Sequence, residues 1–328
     1  MTIDPHRRWR QHGLGSAPAY AGLATFAGLP YTEHPAELVR CDAAVVGAPM
    51  DELATDRPGA RNGPRAIRVE HVETGGHLEA GIDWSEELEV VDFGDAPVVP
   101  ADPAASHDAI EGVVSQVRSA GAVPVLLGGD HSVTEPSLRA CVADRPLGLV
   151  HLDAHTDTAS ELWGVDRTHG SPMYRLVEQG HVDGRRYVQI GLRGYWPGER
   201  EFAWQRAHGI TAIFMHDVRA LGIDAVVDRA LAVVGDEPAY LSVDIDVLDP
   251  GFAPGTGTPE PGGMAPHELL AATRRIADAA ALVGADVVEV MPSGAGQVDV
   301  TALTAGRVVA EILTGMALRA RRERADQA

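Results

Sequence analysis

The sequence predicts an α/β fold in which a mostly parallel sheet of about eight strands lies between helical layers. Three observations predict it. Short β-branched and apolar runs recur along the chain. Most are hydrophobic at nearly every position, as a strand buried on both faces requires. Most are also separated by stretches long enough for a crossover helix.

The elements follow in order. The first strand is expected at 41–47, around Ala43-Ala44-Val45-Val46, and the second at 88–93, around Val90 and Val91. A helix at 105–118 has apolar residues at three- and four-residue intervals. A strand at 122–127 ends in Leu126-Leu127, and a helix at 134–142 follows it. Further strands are expected at 147–152, 187–192 and 212–215. A helix at 223–234 then precedes the strand at 240–243, and a helix at 266–279 precedes the strand at 287–290. The last helix, 301–321, carries Ala302, Ala305, Val308, Val309, Ile312, Leu313 and Met316 in helical rhythm. Its end, with Arg319, Arg321, Arg322 and Arg324, suits the negative helix terminus and reads as a solvated tail.

Length and composition bound the rest. No linker divides the 328 residues, so 1–328 is expected to be one domain, its first ~35 residues an arm or extension. With 45% hydrophobic and 23% charged residues the chain can bury a sizeable core. Its 27 Lys and Arg against 47 Asp and Glu give a formal net charge of -20, which argues against nucleic acid as a partner and permits a cationic substrate. Cys41 and Cys141 lie in or beside apolar stretches and are expected to be free thiols in a reducing compartment. No segment reads as a membrane span of ~20 apolar residues, and the N-terminus lacks a leader's apolar core, so the expectation is a cytoplasmic protein without a membrane partner.

Aspartate-rich clusters stand at the ends of three of these strands. Asp130 and His131 follow 122–127, Asp153, His155 and Asp157 follow 147–152, and Asp244, Asp246 and Asp249 follow 240–243. Loops beyond the carboxyl ends of a parallel sheet converge, so segments far apart in sequence can meet in one crevice. A single Asp-x-Asp after a strand is more often a turn or cap feature, but three such clusters are hard to dismiss that way. His131, Asp153, His155, Asp157, Asp244 and Asp246 are enough ligands for two divalent ions, more than one zinc needs, with Asp130 and Asp249 as orienting neighbours. Four aspartates neutralise two such ions, and a water between them loses a proton near neutral pH, which points to a hydrolase. Oxygen-rich mixed ligation favours Mn2+, with Ni2+ or Co2+ also compatible. His151 and His216 receive no role, since a lone histidine in a strand-like run is usually a satisfied core or loop residue.

The same residues carry a family resemblance. Gly128-Gly129-Asp130-His131-Ser132, Asp153-Ala154-His155-Thr156-Asp157 and the stretch from Ser242 through Asp244, Asp246 and Asp249 to Pro250 resemble three signatures of the ureohydrolases, the arginase and agmatinase family. Arg57-Pro58-Gly59-Ala60-Arg61 and Gly255-Thr256-Gly257-Thr258-Pro259 are also similar. The resemblance implies a three-layer α/β/α sandwich, a binuclear manganese centre and hydrolysis of a small guanidino compound, agmatine or a guanidino acid such as 4-guanidinobutanoate, to urea and an amine. It implies the same six ligands, Asp157 serving catalysis as well, and it implies a homo-oligomer, trimer or hexamer. His169 matches a proton-shuttling histidine, and Glu289 the carboxylate that holds the guanidinium. On residues alone, Glu289 reads equally as a structurally paired carboxylate and His169 as a helix-start residue. Thr258 joins the substrate-binding candidates.

The pattern departs from the family at three places. Met291 to Asp299 is glycine-rich and lacks an aromatic-acidic pair, residues 50–56 replace a small hydroxyl-rich loop, and Asn62 stands where an aromatic is frequent. Arg193, Tyr195 and Trp196 form a loop that binds a substrate tail, stacks on a neighbouring subunit or makes an ordinary turn. The stretch 158–168 lacks an arginase-like amino-acid-binding loop, which tilts the resemblance toward the agmatinase branch. Three other functions compete. A deacetylase-like amidohydrolase of the same fold uses one zinc and does not need the six-ligand set. A binuclear phosphatase wants cationic phosphate-holding side chains that these motifs do not supply. A non-catalytic partner subunit of a ureohydrolase assembly has no need of complete ligands.

Overall fold

A computed structural model describes residues 21–71, 75–292 and 298–327. Of the expected N-terminal arm, residues 1–20 lie outside the described residues, as do 293–297 of the glycine-rich stretch. Within the described part of the arm, Phe26 and Ala27 are buried, with Phe26 stacked on His71.

The described residues form eight strands: β1 Ala43–Ala48, β2 Val90–Asp95, β3 Val123–Gly128, β4 Leu147–Leu152, β5 Val182–Leu192, β6 Thr211–Phe214, β7 Ala239–Asp244 and β8 Leu282–Val288. They make one sheet in the order β2-β1-β3-β8-β7-β4-β5-β6, every pair parallel. All eight expected strands are present. Two begin earlier than hydrophobicity suggests. β5 runs back through the polar Asp183 to Arg186, and β8 starts at Leu282 through Gly284 and Asp286. Both β8 residues are dictated by neighbours. A Cβ on Gly284 would lie 2.7 Å from Tyr240 Cε2 and 2.8 Å from Cys141 Sγ. The buried Asp286 accepts hydrogen bonds from Thr134, Tyr240 and Ser242.

Alternate strand residues serve two cores, as a pleated sheet between helices requires. Ala43, Val45, Val125, Leu127, Leu241 and Val243 face one side, packed under helices Ile223–Val234, Pro266–Ala279 and Val300–Asp326. Ala44, Val46, Leu126, Leu149 and Tyr240 face the other, under Pro103–Ser119, Thr134–Cys141 and Pro172–Glu178. Helices Gly63–Glu70, Glu199–His208 and Met215–Leu221 were not legible as periodic segments. Met215, expected to end a strand, opens the last of these, where Asp217 caps the backbone N–H of Phe214.

The helix Val300–Asp326 is long and apolar enough to cross a membrane by length and composition, contrary to the sequence expectation, but 72% of its apolar window is buried inside the fold. Its arginine-rich end is ion-paired, Arg321 and Arg324 to Glu87 and Arg322 to Asp278. Cys41 and Cys141 are free thiols.

The strand order places the crevice. β3 and β4 are consecutive in sequence, yet β8 and β7 lie between them: the chain travels one way from β3 to β6 and then turns back, so the connections that leave β3 and β4 run opposite to those that reach β7 and β8. At such a switch point the loops beyond the strand ends part, and a ligand site opens. The loop that leaves β3 is tightly constrained: Gly129 N–H donates to Ala48 O at 3.1 Å and Asp130 N–H to Met50 O at 2.8 Å. A Cβ on Gly129 would stand 2.1 Å from Met50 O and 2.6 Å from Ala48 O, both backbone atoms. Gly129→Ala should therefore destabilise the protein by at least about 1–3 kcal/mol, read from denaturant unfolding. An unchanged midpoint would contradict this packing.

Candidate metal centre

Four neighbouring strands deliver the site residues. His131 follows β3, Glu289 follows β8, Asp244 ends β7 with Asp246 behind it, and Asp153, His155 and Asp157 follow β4. All six sequence-predicted ligands come together. Three carboxylate oxygens, Asp153 Oδ2, Asp157 Oδ2 and Asp244 Oδ2, stand 3.1, 3.0 and 3.1 Å from His131 Nδ1. A second group lies beside the first: His155 Nδ1 is 3.0 Å from Asp246 Oδ2 and 3.6 Å from Asp153 Oδ1. Asp153 thus turns one oxygen to each group.

The tautomer of His131 follows from its other nitrogen. Ser242 Oγ donates to the buried Asp286 at 2.7 Å, so its lone pairs accept the Nε2 proton of His131 at 2.9 Å. In the neutral ring, the form that binds a metal, Nδ1 is then a lone pair aimed at the three carboxylates. It has no hydrogen-bond partner among the described residues although three oxygens surround it, because none meets hydrogen-bond geometry. An orphaned, fully buried imidazole nitrogen facing acceptors alone is what a bound cation resolves.

Electrostatics agree. Burial opposes charge on His131, but the three carboxylates override it and hold the imidazole well above its ordinary value. His155 is likewise pushed to about 12, Asp246 and Asp153 overcoming burial. Asp244 is raised well above the carboxylate range by burial and by repulsion from Asp246 and Asp153. Burial raises Asp246 too. Four of these groups are thus drawn toward holding protons where divalent cations would supply the positive charge, while Asp153, against burial, is held well below the carboxylate range by His151, His131 and His155. The donor set, two imidazoles and four carboxylates, fits two such ions.

Around this cluster stand residues the sequence did not assign. His151, left without a role, donates from Nε2 to Asp153 Oδ2 at 2.7 Å and meets Tyr187 OH from Nδ1 at 3.0 Å. Its position two residues before Asp153 on β4 put it on the same face, a signal the run of apolar neighbours concealed. Thr55 lies in the atypical loop 50–56, with its Oγ1 2.6 Å and its N 3.1 Å from His169 Nε2. Leu53 ties the same loop to the centre, donating to Asp130 Oδ2 and accepting from His169 N–H. Asn62 caps no ligand region; its Nδ2 donates to Gly59 O.

His169 and Glu289 meet directly. His169 Nδ1 is 2.8 Å from Glu289 Oε1, which also accepts the backbone N–H of His131 at 2.8 Å. Glu289 Oε2 faces Gly257, whose missing side chain leaves room: a Cβ there would lie 3.5 Å away. Glu289 and Asp157 hold left-handed backbones, φ 60° and 50°. Such strain in residues with side chains is concentrated at functional sites.

The remaining predicted residues are spread around the mouth. Thr258 Oγ1 donates to Asp246 Oδ2 at 3.3 Å, which makes it a neighbour of the candidate ligands. Trp196 is partly exposed, with its ring 6.2 Å from that of His155. Tyr195 is fully exposed to solvent in this chain. Arg193 is not available as a tail-binding cation. Its guanidinium is committed to backbone carbonyls, among them Asp246, Leu248 and Glu260. Asp249, expected as an orienting neighbour, instead shapes its own loop by accepting from Gly251, Gly262 and Gly263.

Residues 41–315 match the family described as the arginase family. The chain is 45% identical over 279 residues to a guanidinopropionase of Pseudomonas aeruginosa, covering 84% of this chain and 86% of that protein. It is 39% identical over 278 residues to a proclavaminate amidinohydrolase of Streptomyces clavuligerus, covering 84% of this chain and 88% of that one. The solved structure of that amidinohydrolase superposes with a TM-score of 0.85 at 37% identity, over 92% of this chain and all of the other.

The His169–Glu289 pair makes a pH prediction for the metal-free protein. Burial lowers the His169 pKa, but Glu289 overrides this and raises it from 6.5 to about 9. Stabilisation from a raised histidine is complete below the unfolded value and lost as pH rises through the folded one, so it should fade across about 6.5 to 9. Histidine NMR titration should place the His169 midpoint near the upper value, and a midpoint at or below 6.5 would contradict the pairing.

Proposed function

This chain belongs to the arginase family, and we propose that it is a binuclear-metal amidinohydrolase that cleaves a small guanidino compound, agmatine or a guanidino acid, to urea and an amine. The observation that carries this reading is the double group of ligands around Asp153, with Glu289 and His169 paired beside it. The names of the relatives support the same reaction class. A single-zinc deacetylase has no use for a second group formed by His155 and Asp246.

His131, Asp153, Asp157 and Asp244 would hold one ion, and Asp153, His155 and Asp246 the other. Bound there, the pair supplies Lewis acidity and brings the ionisation of water close to neutral pH. Oxygen-rich mixed ligation favours manganese.

The chain's own residues supply recognition and proton handling. A planar guanidinium wants a carboxylate, and Glu289 offers Oε2 on the side of Gly257 while Oε1 stays anchored by His131 N–H. His169 carries a proton at Nδ1 against Glu289, close to where a leaving amine needs one, and Thr55 holds the opposite nitrogen. Burial of Asp153, Asp244, Asp246 and Glu289 keeps bulk water from screening these charges.

The test is urea release by manganese-loaded protein across agmatine, guanidinobutanoate, guanidinopropanoate, guanidinoacetate, arginine and free guanidine. Urea from one substrate is expected, and none from any of them would overturn the reading. Asp244→Ala should lose metal and activity together. Glu289→Ala should keep its metal and lose at least about 30-fold in kcat/KM, the equivalent of about 2 kcal/mol. Normal turnover by Glu289→Ala would remove Glu289 from guanidinium recognition.

A further inference from the structure

Arg193 is a partly exposed arginine at the mouth of an acidic crevice, yet its side chain points away from any ligand. Nη2 donates to the carbonyls of Asp246 at 2.7 Å, Leu248 at 3.1 Å and Glu260 at 2.6 Å. Nε donates to Glu260 and Pro261, and Nη1 to Gly191 and Val247. One guanidinium therefore ties together the end of β5, the turn that follows β7 and the loop 258–263. Only a planar fork of five N–H donors reaches carbonyls in three segments at once; an ammonium with three donors on a flexible stem does not.

Glycines stand beside the clamp. A Cβ on Gly263 would stand 2.6 Å from Arg193 Nη2, and also 2.5 Å from Asp249 N and from the carbonyl carbon of Leu248. Gly194, at φ 84°, would collide with Glu260. Two of the three segments the fork grips carry contacts to one carboxylate. Asp246 itself supplies a gripped carbonyl, and Thr258, two residues before the gripped Glu260, donates to Asp246 Oδ2. The Asp246 carboxylate is the only part of the second ligand group that comes from β7, and it faces His155 across 3.0 Å.

We propose that Arg193 is a positioning residue that fixes the backbone of Asp246 and the Thr258 loop, and so sets the geometry of the second ligand group, Asp153, His155 and Asp246, more strongly than that of the group around His131. This rests on the reading that the cluster holds two ions. The clamp grips the Asp246 carbonyl directly, whereas it touches the His131 group only through the Asp246 N–H that steadies Asp244, a residue already held on β7 by its pairing with β8, so its loss is felt most at the second ion. A loosened supporting residue of this kind costs about 10- to 100-fold in metal affinity.

Calorimetric titration of metal-stripped, full-length protein with Mn2+ tests this, with thermal unfolding followed in parallel. Wild type should bind two ions. Arg193→Lys, which keeps the charge and loses the fork, should bind one ion as wild type does and the other about 10- to 100-fold more weakly. Arg193→Gln, which removes the fork and its charge, should show the same selective loss and serves if the lysine variant fails to fold. Equal, wild-type affinity for both ions in Arg193→Lys or Arg193→Gln would overturn the proposal. So would equal weakening of both ions, the mark of a general structural defect. Wild-type binding of fewer than two ions would instead remove the two-ion reading beneath it.

Discussion

The structure is organised around a concentration of negative charge that protein groups alone do not neutralise. Asp153, Asp157, Asp244 and Asp246 converge at the ends of β4 and β7 with two imidazoles between them. Burying four carboxylates in one place costs far more than packing recovers unless cations compensate. The strand order answers the geometric half of this problem. By placing β8 and β7 between β3 and β4, it sets four strand ends side by side, each contributing to one crevice.

A local device recurs at these ends and reconciles two readings of an aspartate after a strand. Asp130, Asp153 and Asp244 each accept, through Oδ1, the backbone N–H two residues ahead, at 3.0, 2.6 and 2.8 Å. This is an ordinary turn-capping bond. In Asp153 and Asp244 it also fixes the carboxylate so that Oδ2 faces His131. The aspartates are turn residues and candidate ligands at once, and the first role aims the second. Behind them, Ser242 and Asp286 set the tautomer of His131, and His151 steadies Asp153, so the orientation of the cluster is built two layers deep.

Much of this was legible in sequence, because the strands are continuous apolar runs and the ligands are chemically distinctive residues just beyond them. Where sequence reasoning fell short, the deciding partner lay far away in the chain. Asp286 was left just outside the strand expected at 287–290 because its three hydroxyl donors come from residues 134, 240 and 242. His151 looked like a core histidine because its own β4 neighbours are apolar. Arg193 looked like a substrate cation because all but one of the carbonyls that occupy it lie more than fifty residues away. Thr55 was read as a departure from a family pattern, whereas its contact with His169 spans 114 positions. Helix Glu199–His208 has little apolar periodicity, and Gln205 is its buried residue, so no rhythm announced it.

The central claim is that two cations share Asp153. Anomalous diffraction from crystals grown with Mn2+, collected at the manganese edge, tests it most directly. The account predicts two peaks on either side of the Asp153 carboxylate, one bounded by His131, Asp157 and Asp244 and the other by His155 and Asp246. A single peak, or manganese bound away from Asp153, would contradict it.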